Sequence, residues 1–537
     1  MSEHLRHLFP LSALAALVLV TCGLVSQDKS SAFPDDACIA VARPAAIYPD
    51  YRNVVIPPNI APLNFRIQEA GSRYHVRIRS AKGRSIEISS RSGEIRIPQR
   101  PWRTLLEINR GRTLHVDVFV LPAPSADGPK KTRPAWRRFE SFTNAIAVED
   151  IDRYLVYRRI HPAHSVWREM GIYQRDLSTF DESVVLHNRN IGGGCLNCHT
   201  FCANRTDTML ISSRSSKYGS AAVVNNDGHI RKVGTKFGYT SWHPSGKLIT
   251  YSVNQVAMFL HSADREVRDV IDLDSLLACY MLDAKQIRTS EPLARKDRLE
   301  TYPTWSPDGR YLYFCSAALT WKERNAIPAC YDQIRYDLVR IPYDLDRDRW
   351  GRLETVLEAK QTGKSILLPR VSPDGRWLLF CMCDYGCFPV YQKSSDLYII
   401  DLQSTAGAES EPYRRLAVNS DESESWHSWS SNSRWIAFSS KRGTGLFTRT
   451  YLCYIDEDGR ACKPILLPQK DPFHYDSCLW TYSVPELVGA PVRATGERLA
   501  RVLRGPAAVD VAMPITMATP GAAPSSTPEE SYPIAHQ

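Results

Sequence analysis

The stretch YPTWSPDGRYLYFCS, residues 302–316, decides the fold of this chain because its pattern recurs. Each copy starts with aromatic or apolar residues, continues with a Ser/His-Pro-x-Gly-Arg/Lys turn and ends in alternating apolar residues. A turn of this composition between two alternating segments predicts a β-hairpin. The last copy has Ser431 and Ser433 in place of the proline and glycine. The other copies are YTSWHPSGKLITYSV (239–253), LPRVSPDGRWLLFCM (368–382) and SWHSWSSNSRWIAFSS (425–440).

A second hairpin follows each copy, so each repeat contains four predicted strands. An earlier unit shows its second hairpin in SAAVVNNDGHIRKV (220–233), and DSCLWTYSVPEL (476–487) predicts one further strand. Four-stranded units repeated around an axis form a β-propeller. The sequence therefore predicts an all-β protein with a propeller over residues 203–489. Six blades is the preferred number, with five and seven as alternatives.

The segments outside the propeller are assigned from their composition and periodicity. Alternating apolar and polar residues predict a small β-sandwich at 51–124. The apolar residues of 148–180 follow a helical spacing, so residues 125–190 are interpreted as a linker with a helical bridging segment. Residues 490–537 are rich in Ala, Pro, Thr and Ser and are predicted to be disordered. Residues 23–50 are assigned as an extended linker.

The first 22 residues predict export. Basic and polar residues precede the apolar run LSALAALVLV (11–20), which has the length of a signal-peptide core. Cys22 follows in a sequence similar to a lipobox, where it would be lipidated, although Thr21 departs from that pattern. An uncleaved anchor and simple cleavage are the alternatives. The expected location is the periplasm or cell surface, with the chain attached to the membrane through its N-terminus.

Composition and motifs exclude several classes of function. The net charge is +9, and many arginines lie between residues 66 and 138. No nucleic-acid motif accompanies them, so we interpret them as a solvated face and expect no nucleic-acid partner. The G-x-S-x-G motif of a hydrolase nucleophile is also missing from the sequence. A non-enzymatic role is therefore favoured, and a haem-dependent enzyme such as a peroxidase is the weaker option.

The stretch GGGCLNCHTFC (192–202) carries the chemistry. Cys195 and Cys198 have the C-x-x-C-H spacing that attaches haem c through two thioether bonds, and His199 follows as the axial iron ligand. The preceding glycines permit close approach of the backbone to a flat cofactor. The sequence thus predicts one haem c at residues 191–202.

Other interpretations of the motif remain open. Cys202 would complete a zinc site of three cysteines and His199, and a Cys195–Cys198 disulfide is a further alternative. For a haem, the candidates for the second axial ligand are Met170, His187 and His427, with His243 as a weaker one. The chain has 14 cysteines, and the cluster Cys381, Cys383 and Cys387 is a candidate source of a disulfide.

The Pro-Asp-Gly-Arg/Lys hairpins resemble those of TolB-like β-propellers. Together with the C-x-x-C-H motif, the chain is similar to a group of exported bacterial proteins often labelled cytochrome c biosynthesis proteins. The segments that carry this resemblance are IPPNIAPLNF (56–65), IDRYLVYRRI (151–160), MGIYQRDLSTF (170–180), CLNCH (195–199), HSWSSNSRWIAFSSKR (427–442) and LPQKDP (467–472).

Two functions follow from this resemblance as expectations. The first is a haem-carrying envelope protein that transfers electrons or senses a ligand and binds an envelope or redox partner at one end of its propeller. The second is a non-enzymatic interaction module whose cysteine cluster is structural, held by zinc or by a disulfide.

Overall fold

A computed structural model describes residues 38–123, 135–161, 169–261, 268–404, 412–507 and 509–510. The predicted leader with Cys22 and most of the predicted tail lie outside these residues. None of the helices within the described ranges is long and apolar enough to cross a membrane.

Residues 39–146 form a domain of two packed β-sheets and one helix, Gln99–Glu107. It begins within the predicted linker 23–50, whose residues from Ile39 onward form strands. The larger sheet contains Ile39–Pro44, Val55–Ile56, Arg73–Arg79, Ile86–Ser90, Thr113–Leu121, Arg137–Glu140 and Phe142–Ile146. The smaller sheet contains Ile47–Tyr48, Phe65–Ile67 and Glu94–Ile95.

The rest of the described chain is a propeller of antiparallel sheets, which confirms the predicted all-β propeller class. Six sheets of the described residues have this layout, and we number them from the N-terminus. From the inner strand outward, sheet 1 has Thr481–Val488, Tyr154–Ile160, Met170–Asp176 and Glu182–His187; sheet 2 has Cys195–Cys202, Arg205–Ser215, Gly219–Asn226 and His229–Gly234, with Val509–Asp510 at its outer edge; sheet 3 has Thr240–Trp242, Leu248–Leu260, Arg268–Met281 and Gln286–Arg288.

The other three sheets follow in the same order. Sheet 4 has Arg298–Trp305, Tyr311–Ala318, Asp337–Asp344 and then Arg349–Trp350 and Glu354–Leu357; sheet 5 has Ser365–Val371, Trp377–Cys383, Asp396–Asp401 and Tyr413–Arg415; sheet 6 has Glu424–Trp429, Trp435–Ser440, Arg449–Tyr454 and Ile465–Leu466. Two four-residue helices, Ala359–Thr362 and His474–Ser477, lie between strands.

The inner strands contact one another in a closed order, because the inner strand of sheet 6 contacts that of sheet 1, which in turn contacts that of sheet 2. Sheet 1 closes this ring with strands from both ends of the propeller. Thr481–Val488 pairs antiparallel with Tyr154–Ile160, which precedes all other propeller strands. The ring is thus fastened by backbone hydrogen bonds between distant parts of the chain.

The repeated turns explain the hairpins. In the copy at 302–316, Gly309 has φ 72°, which glycine adopts without steric cost, and the Ser306 hydroxyl donates to Asp308 at 2.6 Å. Ser433 has φ 60° at the equivalent position of the fourth copy. The backbone therefore keeps the same turn although the glycine is replaced.

The predicted helical bridging segment is wrong over Tyr154–Ile160 and Met170–Asp176, because these residues form strands of sheet 1. Leu155, Val156 and Tyr157 are consecutive and buried, since this strand is covered by neighbouring sheets on both faces. A strand buried on both faces loses the alternation of apolar and polar residues. The spacing of apolar residues that remains in this strand resembles that of a helix.

The predicted disordered tail is wrong over its first part. Residues Gly496–Arg504 form a helix that packs across the outer strands of sheets 1 and 2. Its buried residues Leu499, Ala500 and Leu503 lie on one face, and Thr495 caps its N-terminus by accepting from the Arg498 amide at 3.3 Å. The Ala- and Pro-rich composition concealed this short amphipathic pattern.

The two domains pack through sheet 6. The Tyr51 hydroxyl donates to the Leu466 carbonyl at 3.1 Å, and the Trp435 indole donates at 3.2 Å to the carbonyl of Glu149, which lies in the segment between the two domains. One apolar core continues from the N-terminal domain into the outer face of sheet 6.

Candidate functional site

The C-x-x-C-H motif forms the inner strand of sheet 2, Cys195–Cys202, so it belongs to the propeller, which was predicted to begin only at residue 203. The pairing of this strand with Arg205–Ser215 shifts between Leu196 and His199, so the motif contains a β-bulge. A bulge re-aims side chains in an otherwise regular strand. The described residues do not include the side chain of Cys198.

The bulge recurs in other inner strands of the ring. Tyr302, Leu368, Trp426 and Val484 each have a positive φ, between 48° and 55°, at the point where the pairing of their strand shifts. A positive φ is strained for bulky residues, and such strain often marks functional sites. Cys198 has the corresponding place in its own strand, one residue before His199, as Trp426 is one residue before His427.

His199 is completely buried between sheets 1 and 2. Its Nε2 atom lies 3.3 Å from the Val156 carbonyl of sheet 1, and its Nδ1 atom has no hydrogen-bond partner among the described residues. Burial lowers the pKa of His199 to about 3, so the imidazole is neutral at physiological pH. A neutral imidazole with an unpartnered nitrogen is a potential metal ligand.

Cys195 and Met170 lie in the same apolar cluster as Val156. The Leu196 amide lies 3.0 Å from Met170 Sδ, which places this methionine directly against the motif. Cys195 is 5% exposed, and its Sγ lies 3.3 Å from the side-chain amide of Asn197. The structure thus places Met170 against the motif strand next to Cys195, and His199 against Val156, a residue of the same apolar cluster.

The other histidine candidates differ in position. His187 pairs with Gly171, next to Met170, and its Nδ1 accepts from the Arg189 amide at 3.2 Å. His427 lies in the inner strand of sheet 6, where its Nε2 is 3.2 Å from the Leu379 carbonyl. His243 is held in a turn, with Nε2 at 3.1 Å from the Gly309 carbonyl.

Of the cysteines in the alternative sites, the two with described side chains, Cys195 and Cys202, lie in different apolar clusters. Cys202 packs in another apolar cluster than Cys195, its Sγ lies 3.5 Å from the His243 carbonyl, and burial raises its pKa to about 11. No group of three or more potential metal ligands occurs among the described residues. Cys381, Cys383 and Cys387, the candidate source of a disulfide, are buried free thiols.

A funnel of about 350 Å³ opens at the turn end of the propeller axis, beside the motif strand. Thr200 and the tryptophans Trp242, Trp305 and Trp429 line its wall. Arg370 and Glu486 also line the funnel, where Arg370 Nη2 forms an ion pair with Glu486 Oε1 at 3.1 Å. The sequence does not predict this ion pair, because the two residues belong to different sheets and no local sequence signal indicates that they are neighbours.

The other end of the axis is nearly filled. Tyr239, Tyr302 and Trp426 pack against one another there, with 4.0 Å between the two tyrosine ring centroids. The cavity left between them and His199 measures about 20 Å³, which is room for one water molecule. A ligand that enters along the axis from the turn end therefore enters through the funnel.

The residues fit a haem in their donor chemistry. The strand supplies a thiol and a neutral imidazole with an unpartnered nitrogen, and a thioether lies against it. The channel side of His199 has no room for a porphyrin. A haem held by this motif therefore does not lie in the propeller channel.

Comparisons with known proteins identify no family. No protein-family model matches the chain, and no curated protein matches it. Among solved structures, hydrazine synthase from Kuenenia stuttgartiensis is 14% identical with a TM-score of 0.29, covering 48% of this chain and 63% of that one.

Two further structures contain comparable regions. A puromycin hydrolase is 16% identical with a TM-score of 0.33, over 58% of this chain and 45% of that one. Prolyl oligopeptidase B from Galerina marginata is 13% identical with a TM-score of 0.32, over 57% and 41%. In all three cases the match spans less than two thirds of the other protein, and it carries no argument about activity. The class that the sheets themselves define is that of β-propeller proteins.

Proposed function

We propose that this chain is an exported, TolB-like propeller protein of the cell envelope that carries one haem c on Cys195 and Cys198. His199 is the axial ligand, and Met170 is the preferred second ligand. The observation that carries the proposal is the contact of Met170 Sδ with the Leu196 amide, within a motif that has haem-attachment spacing and a buried, neutral imidazole at His199. When bound, a haem supplies a one-electron redox centre or a site for a small ligand.

The chain itself contributes a buried position for the axial ligand and a funnel at which a partner protein can bind. Burial keeps the His199 imidazole neutral and therefore able to ligate iron. The funnel is the proposed binding site for an envelope or redox partner. It is lined by Arg370, Glu486 and the three tryptophans Trp242, Trp305 and Trp429. Its volume lies within the range of binding pockets.

Haem staining of the exported protein tests the proposal. We expect covalent haem and a c-type absorption spectrum in the wild type, and neither after Cys195→Ala with Cys198→Ala. Cys202→Ala is the matched control and should keep the haem, since Cys202 packs in another cluster. Met170→Ala should change the spectrum without removing the haem.

A structural role for the motif is the second candidate function, and a specific observation favours it. His427 in sheet 6 makes the same contact as His199, with its Nε2 at a carbonyl of the preceding sheet, and no C-x-x-C-H motif surrounds it. The propeller would then be an interaction module whose buried histidines link neighbouring sheets. Purified exported protein without haem, folded and unaffected by Cys198→Ala, would establish this function instead.

The membrane attachment is tested separately, because it rests on residues 1–22. Cell fractionation should find the protein with the envelope, and Cys22→Ala should release it if Cys22 is lipidated. A protein found mainly in the cytoplasm would refute the predicted location.

A further inference from the structure

The positive charge of the chain is concentrated in its N-terminal domain. Residues 39–123 and 135–146 hold 16 of the 67 basic residues of the chain but only 7 of its 58 acidic ones, so they account for its entire net charge of +9. An excess of cations on one domain attracts anionic surfaces. The basic side chains of this domain that are exposed and form no ion pair with another described residue are Arg73, Lys82, Arg84, Arg91, Arg100, Arg103, Arg112, Arg137 and Arg138.

Four of these arginines lie together at one end of the larger sheet. Arg73 begins a strand that pairs with Ile86–Ser90, and Arg91 directly follows that neighbour. On its other side Arg73 pairs with Leu121, at the end of a strand that also pairs with the strand beginning at Arg137. Because neighbouring strands are about 4.8 Å apart, these arginines lie at the ends of adjacent strands over about 15 Å. We call Arg73, Arg91, Arg137 and Arg138 the arginine row.

An exposed apolar residue extends the arginine row. Ile39 begins the next strand, where it pairs with Arg137, and it is 58% exposed. The Ile39 amide donates to the Trp136 carbonyl at 2.8 Å, which places a half-buried tryptophan at the same end of the sheet. Exposed apolar side chains beside tryptophan and unpaired arginines are typical of surfaces that bind the interface of anionic membranes.

The carboxylates of the neighbouring strands and turns are engaged by other groups. Glu69 is held by Arg43 at 2.6 Å and by the Ala46 amide at 2.8 Å. Glu87 forms an ion pair with Arg77 at 2.9 Å. The arginine row therefore keeps its charge for an anion outside the chain.

The chain enters the N-terminal domain at this same end, which decides what the arginine row faces. Ile39 follows Cys22, the predicted point of membrane attachment, by 17 residues. Because an extended chain covers at most about 3.6 Å per residue, the arginine row of an attached protein stays within about 60 Å of the membrane surface. A membrane is therefore the anionic surface that this end of the sheet meets at high effective concentration.

We propose that the arginine row, together with Ile39, docks the N-terminal domain on an anionic phospholipid surface. The proposal rests on the membrane attachment of the proposed function. The guanidinium groups bind lipid phosphates, and Ile39 enters the headgroup region. Docking at this second point fixes the orientation of the domain relative to the membrane, which attachment at one point does not do.

Sedimentation with lipid vesicles tests the docking. Residues 23–537, exported behind a cleavable leader, keep every described residue and lack the predicted attachment. We expect this protein to sediment with vesicles of phosphatidylcholine and phosphatidylglycerol in equal parts, to be released from them by high salt, and to stay in solution with vesicles of phosphatidylcholine alone. Failure to sediment with the anionic vesicles, or equal sedimentation with both kinds, would overturn the proposal.

Two double variants locate the docking surface. Arg73→Gln with Arg137→Gln removes two charges of the arginine row and should weaken binding to the anionic vesicles about 25-fold, since each cation at a membrane surface contributes about fivefold. The matched control, Arg100→Gln with Arg103→Gln, makes the same change in net charge at two exposed positions of helix Gln99–Glu107.

This helix lies on the propeller side of the domain, where Gln99 Nε2 donates to the Ser178 carbonyl at 3.2 Å. The control should therefore weaken binding less than about threefold. Equal weakening by the two double variants would show attraction by net charge alone, and the docking surface would be wrong.

The result is separate from that of the membrane attachment. Cell fractionation tests the attachment through residues 1–22, which the protein in the vesicle experiment lacks. A cytoplasmic protein whose vesicle binding depends on the arginine row would refute the attachment and keep the docking surface. An envelope protein whose arginine-row variant binds vesicles as the wild type does would refute the docking surface alone.

Discussion

His199 and His427 show how much of the site depends on single buried residues. Each links its inner strand to a carbonyl of the preceding sheet, and each is neutral because burial lowers its pKa to about 3. The C-x-x-C-H spacing could be predicted from the sequence, as could Met170 as a candidate beside it. The burial of the motif could not, because it depends on sheet 1, of whose strands only the one at 476–487 was predicted.

His427 predicts a measurable pH dependence. Its pKa is lower in the folded than in the unfolded state, so its contribution to stability is complete above pH 6.5 and is lost as the pH falls toward 3. The loss is about 1.4 kcal/mol per pH unit for each such histidine. His427→Gln does not titrate, and its glutamine can still donate to the Leu379 carbonyl.

The measurement is the free energy of unfolding of both proteins in urea at pH 7 and pH 5. We expect the stability difference between wild type and His427→Gln to narrow by about 2 kcal/mol at pH 5. A difference that stays constant would show that His427 is not held neutral. Asp272 and Glu300 have raised pKa values, so their effect on stability runs in the opposite direction as the pH falls. Both proteins contain these two residues, and their effect therefore cancels in the stability difference.

At the scale of elements, the repeated hairpins could be predicted and the non-repeated elements could not. Copies such as 302–316 combine a Pro-Asp-Gly turn with clear alternation, and both are local signals. Strand Tyr154–Ile160 lacks alternation because sheets cover both of its faces. Helix Gly496–Arg504 is too short for its periodicity to stand out from the Ala-rich segment around it.

This helix should contribute to stability. Leu499 is completely buried against the outer strands of sheets 1 and 2. Leu499→Ala should lower the free energy of unfolding by about 3 kcal/mol through lost burial and the cavity left behind. Arg501→Ala, an exposed position of the same helix, should change it by less than about 0.5 kcal/mol. Equal effects in urea unfolding would mean that the helix is not docked in solution.

For the whole molecule, the propeller class could be predicted from the repeats, whereas its closure could not. The sequence predicts a strand at 476–487 but not its partner, because pairing of Thr481–Val488 with Tyr154–Ile160 connects non-repeated segments. Six propeller sheets lie among the described residues, and the blade number of the whole propeller stays a prediction.

The closing strand predicts an effect of truncation. A chain that ends at Ser477 lacks Thr481–Val488, the inner strand of sheet 1. Tyr154–Ile160 then keeps only its other neighbour, Met170–Asp176. We expect this chain to lose cooperative thermal unfolding, since removing one sheet edge opens the whole ring. The control ends at Ala507, keeps the closing strand and helix Gly496–Arg504, and should melt as the full chain does. Cooperative melting of both truncated chains would show that the ring does not depend on this strand.

Ring closure by Thr481–Val488 also imposes an order of events during protein synthesis. Tyr154–Ile160 is synthesised first among the propeller strands, and its inner partner Thr481–Val488 follows only after sheets 2 to 6 have been started. One hydrogen-bonding edge of Tyr154–Ile160 therefore stays unpaired while the intervening sheets are synthesised. Unpaired edges of this kind associate with other chains. A nascent chain of this protein therefore passes through a long interval in which aggregation competes with folding, and crowding of nascent chains or slow translation of its last hundred residues should lower the yield of closed propeller.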